Sequence, residues 1–292
     1  MCGIVGFIGN EQAAPILLEG LSRLEYRGYD SAGLAVYDAQ AGLQVSKAKG
    51  RLKALYDLTH GGADVKGTMG VGHTRWATHG EPNDVNSHPQ VSQSGRVAVV
   101  HNGIIENYVR LKEFLMEKGV QFVSETDTEV VAQLVDYYYQ GDLLEAVAQV
   151  LKVIEGAYAL GIVCADEPDK IVAARKDAPL LLGHGKGCNF LASDVTALVK
   201  YTRDVSYMDD GEVAVLTRTG IQCYDNLMRP IQKEISRVEW EIDAAEKGGY
   251  PHFMLKEIME QPDALRRCMS PRIKGGEVYF QDFKLTEEEI RS

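Results

Sequence analysis

Long apolar runs are missing from this 292-residue chain; none approaches the ~20 consecutive residues that a membrane-crossing helix needs, so no membrane partner is expected. Basic clusters are missing too. The 31 Lys and Arg are dispersed against 42 Asp and Glu, a formal net charge of −11, and leave no basic stripe or tail for nucleic acid or an anionic lipid surface. Paired cysteines are absent as well: Cys2, Cys164, Cys188, Cys223 and Cys268 are odd in number and scattered, with no C-x-x-C. That usage suits free thiols in a reducing compartment. The opening residues carry neither the basic nor the apolar region of a secretory signal, which makes the cytoplasm the expected location. What is present is ordinary for a globular chain, 45% hydrophobic and 25% charged, enough for one large domain with a sizeable core plus a smaller appendage.

The periodicity alternates between strand and helix in the first half. "IVGFIG" reads as a strand, "QAAPILLEGLSRLEYRG" as a helix, and "AGLAVYD" with "LQVSKAKG" as a hairpin turning at Ala41 and Gly42; a short helix over "RLKALYDL" follows. A strand over Met69 to Trp76 gives way to "THGEPNDVNSHPQ", whose Gly, Pro, Asn, Asp and Ser content predicts an irregular surface loop. "RVAVVHNGII" predicts a strand, "ENYVRLKEFLMEKG" a helix ending at Gly119, and "SETDTEV" a further helix with Thr126 and Glu129 as a capping box and Asp127 in its first turn. After Gly156 strands dominate, separated by turn-rich gaps, as in antiparallel sheets flanked by helices. The expected boundary is near residue 240. Beyond it, "YPHFMLKEIMEQPDALRRCM" predicts a helix interrupted by Pro262, and Thr286 with Glu289 forms a second capping box. Residues 241–292 are expected to be a linker into a further domain, the alternative being a frayed tail.

Cys2 stands directly behind the initiator methionine. One reading makes it the first buried residue of a strand. The other is chemical: if Met1 is removed, one residue carries both a thiol and the free α-amine, with ordinary pKa values of about 8.5 and 7.7–8.0, either of which modest tuning makes reactive at neutral pH.

Four stretches stand together with it: "MCGIVG", "EYRGYDSAG", "GHTRWATHGEPN" with "HNGIIEN", and "SETDTEV". The set resembles the N-terminal-cysteine glutamine amidotransferases. The Cys-Gly-Ile opening is shared across that superfamily, whereas "RGYDSAG" and "HTRWATHGEPN" are similar to the glutaminase half of the glutamine:fructose-6-phosphate amidotransferase branch, over residues 1–240 and on into the linker. The resemblance implies an α+β fold, a four-layer αββα sandwich of two mainly antiparallel sheets (the N-terminal nucleophile hydrolase fold). It also implies hydrolysis of L-glutamine through a Cys2 γ-glutamyl thioester, a sugar-isomerase domain that uses the ammonia to make glucosamine 6-phosphate, and a homodimer of the full-length chain. No cofactor and no metal are implied.

The remaining assignments combine this resemblance with residue chemistry. Asn102 and Gly103 are expected to supply oxyanion donors, an amide side chain and a backbone N–H unobstructed by a Cβ; the competing reading of Asn-Gly is a type I′ turn. Arg75 has the planar fork for the glutamine carboxylate and Asp127 can accept from its ammonium, against a surface ion pair and a helix-dipole partner. The resemblance places Trp76, Thr78 and His79 around the glutamine, with Trp76 as a gate and the loop after it as a lid; Trp76 as core filling is the alternative. Arg27 is assigned a supporting role behind Cys2. His73, His79, His88 and His101 lie close in sequence, but their separations match no zinc pattern, and "GHGKG" at 183–187 reads as a turn between strands.

Overall fold

The computed structural model describes residues 2–77, 80–239, 249–275 and 277–278. The chain divides into two compact units, Met1–Glu239 and Trp240–Ser292. The first begins with β1 (Gly3–Ile8), α1 (Ala13–Ser22), a 3-10 turn (Glu25–Arg27), the hairpin of β2 (Ser31–Asp38) and β3 (Gly42–Lys49), α2 (Leu52–Leu58) and β4 (Met69–Arg75). Next come β5 (Gln90–Val91), β6 (Val97–Ile105), α3 (Tyr108–Glu117), α4 (Thr128–Tyr138) and α5 (Leu143–Leu151). The rest is mostly strand: β7 (Gly156–Cys164), β8 (Ile171–Lys176), β9 (Leu181–His184), β10 (Asn189–Ala192), β11 (Asp204–Tyr207), β12 (Val213–Leu216), β13 (Ile221–Tyr224), β14 (Pro230–Ile231) and β15 (Ser236–Arg237).

These strands form two antiparallel sheets, one in the order β15-β11-β9-β10-β1-β4-β2-β3, the other β14-β13-β12-β8-β7-β6-β5. Strand alternation explains how the second sheet serves two cores at once. Along β6, Ala98 and Val100 join Ile4, Ile8 and Val71 of the first sheet between the layers, while Val97 and Val99 point the other way into a core closed by α3, α4 and α5. On those helices the apolar residues recur at helical spacing: Val130, Val131, Leu134 and Val135 on α4, and Leu143, Ala146, Val147 and Val150 on α5, all buried. The outer face of the first sheet is covered by α1 through Leu17 and Leu21, which lie against Gly72 of β4. Each fully buried Leu or Val contributes about 1.5–3 kcal/mol relative to exposure.

The second unit contains α6 (Phe253–Met269) and a small hairpin of β16 (Ile273–Lys274) and β17 (Glu277–Val278). Pro262 does not interrupt α6; the helix runs through it, forgoing the one backbone bond that a proline cannot donate. Thr286 and Glu289 lie outside the described residues.

Two other expectations are revised. The segment after β4 is irregular but not superficial: Asn86, Ser87, His88 and Gln90 are buried. Asn86 bonds the Glu81 carbonyl and the Glu125 carboxylate, Asp84 accepts from Lys49 N, and a Cβ on Gly33 of β2 would come within 2.3 Å of the His88 carbonyl. Polar composition here supplies internal bonds that let backbone lie flat on a sheet. The Thr126–Glu129 pair does not form a capping box. Glu129 does reach back, but to Val123 and Ser124 N, while Thr126 Oγ1 is taken by Ser124 Oγ, and α4 starts at Thr128 with Asp127 before it. The α5 helix, for which the sequence reading named no element, follows α4 separately and is capped by Asp142, which accepts from Glu145 N.

Candidate active site

The register of β1 against β4 pairs Gly3 with Thr74, so the residue before β1 and the residues after β4 meet at one end of the sandwich. There a cavity of about 440 Å³ is bounded by Cys2, Arg27, Arg75, Trp76, Asn102 and Asp127 among others. A larger depression, about 660 Å³, lies at the other strand ends around Met69 and Arg218 and has no thiol or histidine in its walls.

Cys2 is half-buried, and its Sγ lies 3.1 Å from the backbone N of Trp76, which donates to it. Burial pushes the thiol above its ordinary range; the Trp76 N–H, the chain's amino terminus and Arg75 pull the other way, and Asp30 adds to the upward push. A donor already aimed at sulfur stabilises the thiolate once the proton has left.

Asn102 and Gly103 lie inside β6, paired with Ala159 and Tyr158 of β7, so they form no turn. Gly103 has φ +132, and a Cβ there would sit 2.0 Å from the Ala157 carbonyl; only glycine fits the close passage of the two strands. The Asn102 amide donates through Nδ2 to the Cys2 carbonyl at 3.2 Å, which puts an N–H donor beside Cys2.

Arg75 is no surface residue: it is 4% exposed, and it donates to the Gly80 carbonyl at 3.3 Å. Burial lowers its proton affinity, and the field of Cys2, Asp127 and Asp30 opposes this. Asp127 is buried and accepts from Ile105 N at 2.8 Å, which ties the start of α4 to the end of β6. Trp76 is not core filling; it is 45% exposed and stands edge-on to Tyr29, ring centroids 5.4 Å apart. Thr78 and His79 lie outside the described residues. Arg27 lines the cavity and is ion-paired with Asp194. "GHGKG" forms the β9–β10 turn, with Gly185 N bonded to Cys188 O.

Two features had no signal in the spacing. Asp30, in "RGYDSAG", accepts from Ala77 N at 2.9 Å and so anchors the backbone just beyond Trp76. His73, His88 and His101 are all buried, with His88 between the other two at centroid distances of 4.3 and 6.5 Å. Burial holds His73 down to about 3 and His88 and His101 below their ordinary range, so these rings are neutral. Among the described residues no group of three or more His, Cys, Asp and Glu side chains is placed to hold a metal ion.

Residues 73–200 match the family model for the glutamine amidotransferase domain. Over 291 residues, 99% of its length, the chain is 55% identical to a glutamine–fructose-6-phosphate aminotransferase (isomerizing) from Caldanaerobacter subterraneus subsp. tengcongensis. The chain contains a glutamine amidotransferase domain. A similarly named protein from Thermus thermophilus is 52% identical over 277 residues, 95% of this chain. The chain spans about half the length of the curated relatives it matches, 48% and 45% of these two. Among solved structures it is similar to the glutamine phosphoribosylpyrophosphate amidotransferase from B. subtilis, with a TM-score of 0.68 at 28% identity, covering 78% of this chain and 50% of that one. Two antiparallel sheets between helical layers are the N-terminal nucleophile hydrolase fold, as expected from the sequence. A glutamine aminotransferase class-II domain protein from Silicibacter pomeroyi, 15% identical with a TM-score of 0.51 over 77% of this chain and 99% of that one, shares the fold alone.

Proposed function

We propose that the chain hydrolyses L-glutamine to glutamate and ammonia. The observation that carries this reading is the thiol of Cys2, with the Trp76 N–H at 3.1 Å and the Asn102 amide beside it, in one cavity with Arg75 and Asp127. Removal of Met1 frees the α-amine of Cys2, which takes the thiol proton as Sγ attacks the side-chain carboxamide carbon. Negative charge develops on the amide oxygen, where Asn102 Nδ2–H and the Gly103 N–H are the donors. Collapse breaks the C–N bond, the α-amine returns its proton to the departing nitrogen, and ammonia leaves a γ-glutamyl thioester. Water then adds to the thioester, the C–S bond breaks, and glutamate departs with the thiol restored. Arg75 pairs with the substrate carboxylate and Asp127 with its ammonium, so amides lacking both groups are rejected. Trp76, Thr78 and His79 border the glutamine, and Trp76 gates it; an exposed aromatic next to the nucleophile's backbone donor supports that part.

In the whole protein the ammonia would pass to a sugar-isomerase domain that converts fructose 6-phosphate to glucosamine 6-phosphate, in a homodimer located in the cytoplasm, with residues 241–292 as the linker. Identities of 52–55% to proteins named for fructose 6-phosphate, against 28% to the phosphoribosylpyrophosphate enzyme, favour this acceptor. The test is an assay of the purified chain, shown by intact mass to have lost Met1, for equimolar glutamate and ammonia from glutamine. Activity that disappears in Cys2→Ala supports the reading, and no activity in the processed protein overturns it.

A further inference from the structure

An asparagine amide presents an acceptor oxygen and a donor nitrogen of nearly the same shape, so a useful oxyanion donor has to be held one way round. The surroundings of Asn102 settle which way. Nε2 of His73 lies 2.9 Å from Asn102 Oδ1 and 3.0 Å from the backbone carbonyl of His101. A carbonyl can only accept, so Nε2 carries the proton, and a donor at Nε2 is met only by the oxygen side of the Asn102 amide. The nitrogen side is thereby turned toward Cys2. Nδ1 of His73, buried and without a hydrogen-bond partner among the described residues, is the cheaper place for a bare lone pair. The contact also crosses the sandwich: His73 belongs to β4, beside the strand that Cys2 precedes, and Asn102 to β6 of the facing sheet. His88 packs against the imidazole, with ring centroids 4.3 Å apart.

We propose that His73 is a positioning residue for glutamine hydrolysis: its Nε2–H, fixed by the His101 carbonyl, clamps the Asn102 amide with its N–H toward the nucleophile before substrate arrives. Preorganisation of this kind spares the enzyme from turning a dipole at the moment of reaction. The inference rests on the glutaminase reading above, and its effect passes entirely through Asn102.

The experiment compares His73→Met and His73→Gln, side chains of similar length that differ in having a donor, alone and combined with Asn102→Ala. His73→Met is expected to lower kcat roughly tenfold or more, within the roughly 10²–10³-fold ceiling set by losing Asn102, with KM for glutamine within about twofold. His73→Gln recovers most of the loss, and His73→Met adds nothing in the Asn102→Ala background. Equal losses in the Met and Gln variants, a loss borne by KM, or independent multiplication with Asn102→Ala overturns the clamp. Nitrogen-15 NMR of the unsubstituted His73 ring decides the matter should neither variant fold or the chain prove inactive on glutamine: the Nε2–H tautomer supports the clamp, the Nδ1–H tautomer refutes it.

Discussion

Mild acidification tests the buried histidines directly. His73, His88 and His101 are 0%, 6% and 2% exposed and face one another, with Arg75 and Lys47 adding positive charge nearby; Asp127 beside His101 is the main opposing influence. Each stays neutral in the folded state below the pH at which an unfolded histidine, with a pKa of about 6.5, takes a proton. The unfolded state therefore binds more protons as pH falls, and stability contributed by these groups is complete above pH ~6.5 and declines below it, toward the folded value of about 3 for His73. Between pH ~7.5 and ~5.5 His73 alone costs about 1.4 kcal/mol of a stability of about 5–15 kcal/mol, and His88 and His101 add to the loss in the same direction. Urea unfolding at the two pH values measures this, and His73→Gln, which cannot titrate, should remove about 1.4 kcal/mol of the loss, the part that His73 contributes. Proton NMR provides the independent check: of the seven histidines, three should fail to titrate in the folded protein across that window. Unchanged stability, or seven rings titrating near 6.5 in the native state, would falsify the account.

An uncleavable N-terminal extension should abolish glutamine hydrolysis while leaving the thermal unfolding midpoint in place, checked by intact mass and an ammonia assay. Arg75→Ala and Asp127→Asn should weaken glutamate binding by about 1.5–3 kcal/mol each in calorimetry, whereas Asn102→Ala should lower kcat by roughly 10²–10³ with little change in KM. Gly103→Ala should destabilise the fold as well as inactivate it, because the new methyl would meet the Ala157 carbonyl at 2.0 Å; a melting curve with an unchanged midpoint would contradict the packing. Alkylation of Cys2 by iodoacetamide should keep accelerating with pH beyond the range of an ordinary thiol, since burial holds its proton.

Much of the framework was legible because its signals are local. Apolar alternation announces β2, β4, β6 and β7, and 3.6-residue spacing announces α1 and α3. The Cys2, Arg75, Asn102 and Asp127 positions came from residue chemistry joined to the family resemblance. What escaped is non-local. The stretch "RVAVVHNGII" reads as a strand through Asn102, but nothing local says that β7, more than fifty residues away, passes so close to Gly103 that only glycine fits. The loop over residues 80–88 looked like surface because its polar side chains satisfy their own backbone, a solution visible only once Glu125 and Lys49 are adjacent. The histidine cluster draws on β4, β6 and the segment before β5, which no spacing rule connects. Short strands such as β11, β14 and β15 have too few residues to show a period.

The position of β1 in its sheet has a consequence for biosynthesis. Chain ends usually fray, yet the strand next to Cys2 is held along both edges, by β4 at residues 69–74 and by β10 at residues 189–192. A ribosome that has released about 110 residues has therefore made Cys2 and Asn102 but only one of the two strands that flank β1, and Asn102 still awaits β7. The reactive centre closes late, after roughly two-thirds of these residues have emerged, so an unfinished polypeptide has no completed pocket in which to spend glutamine.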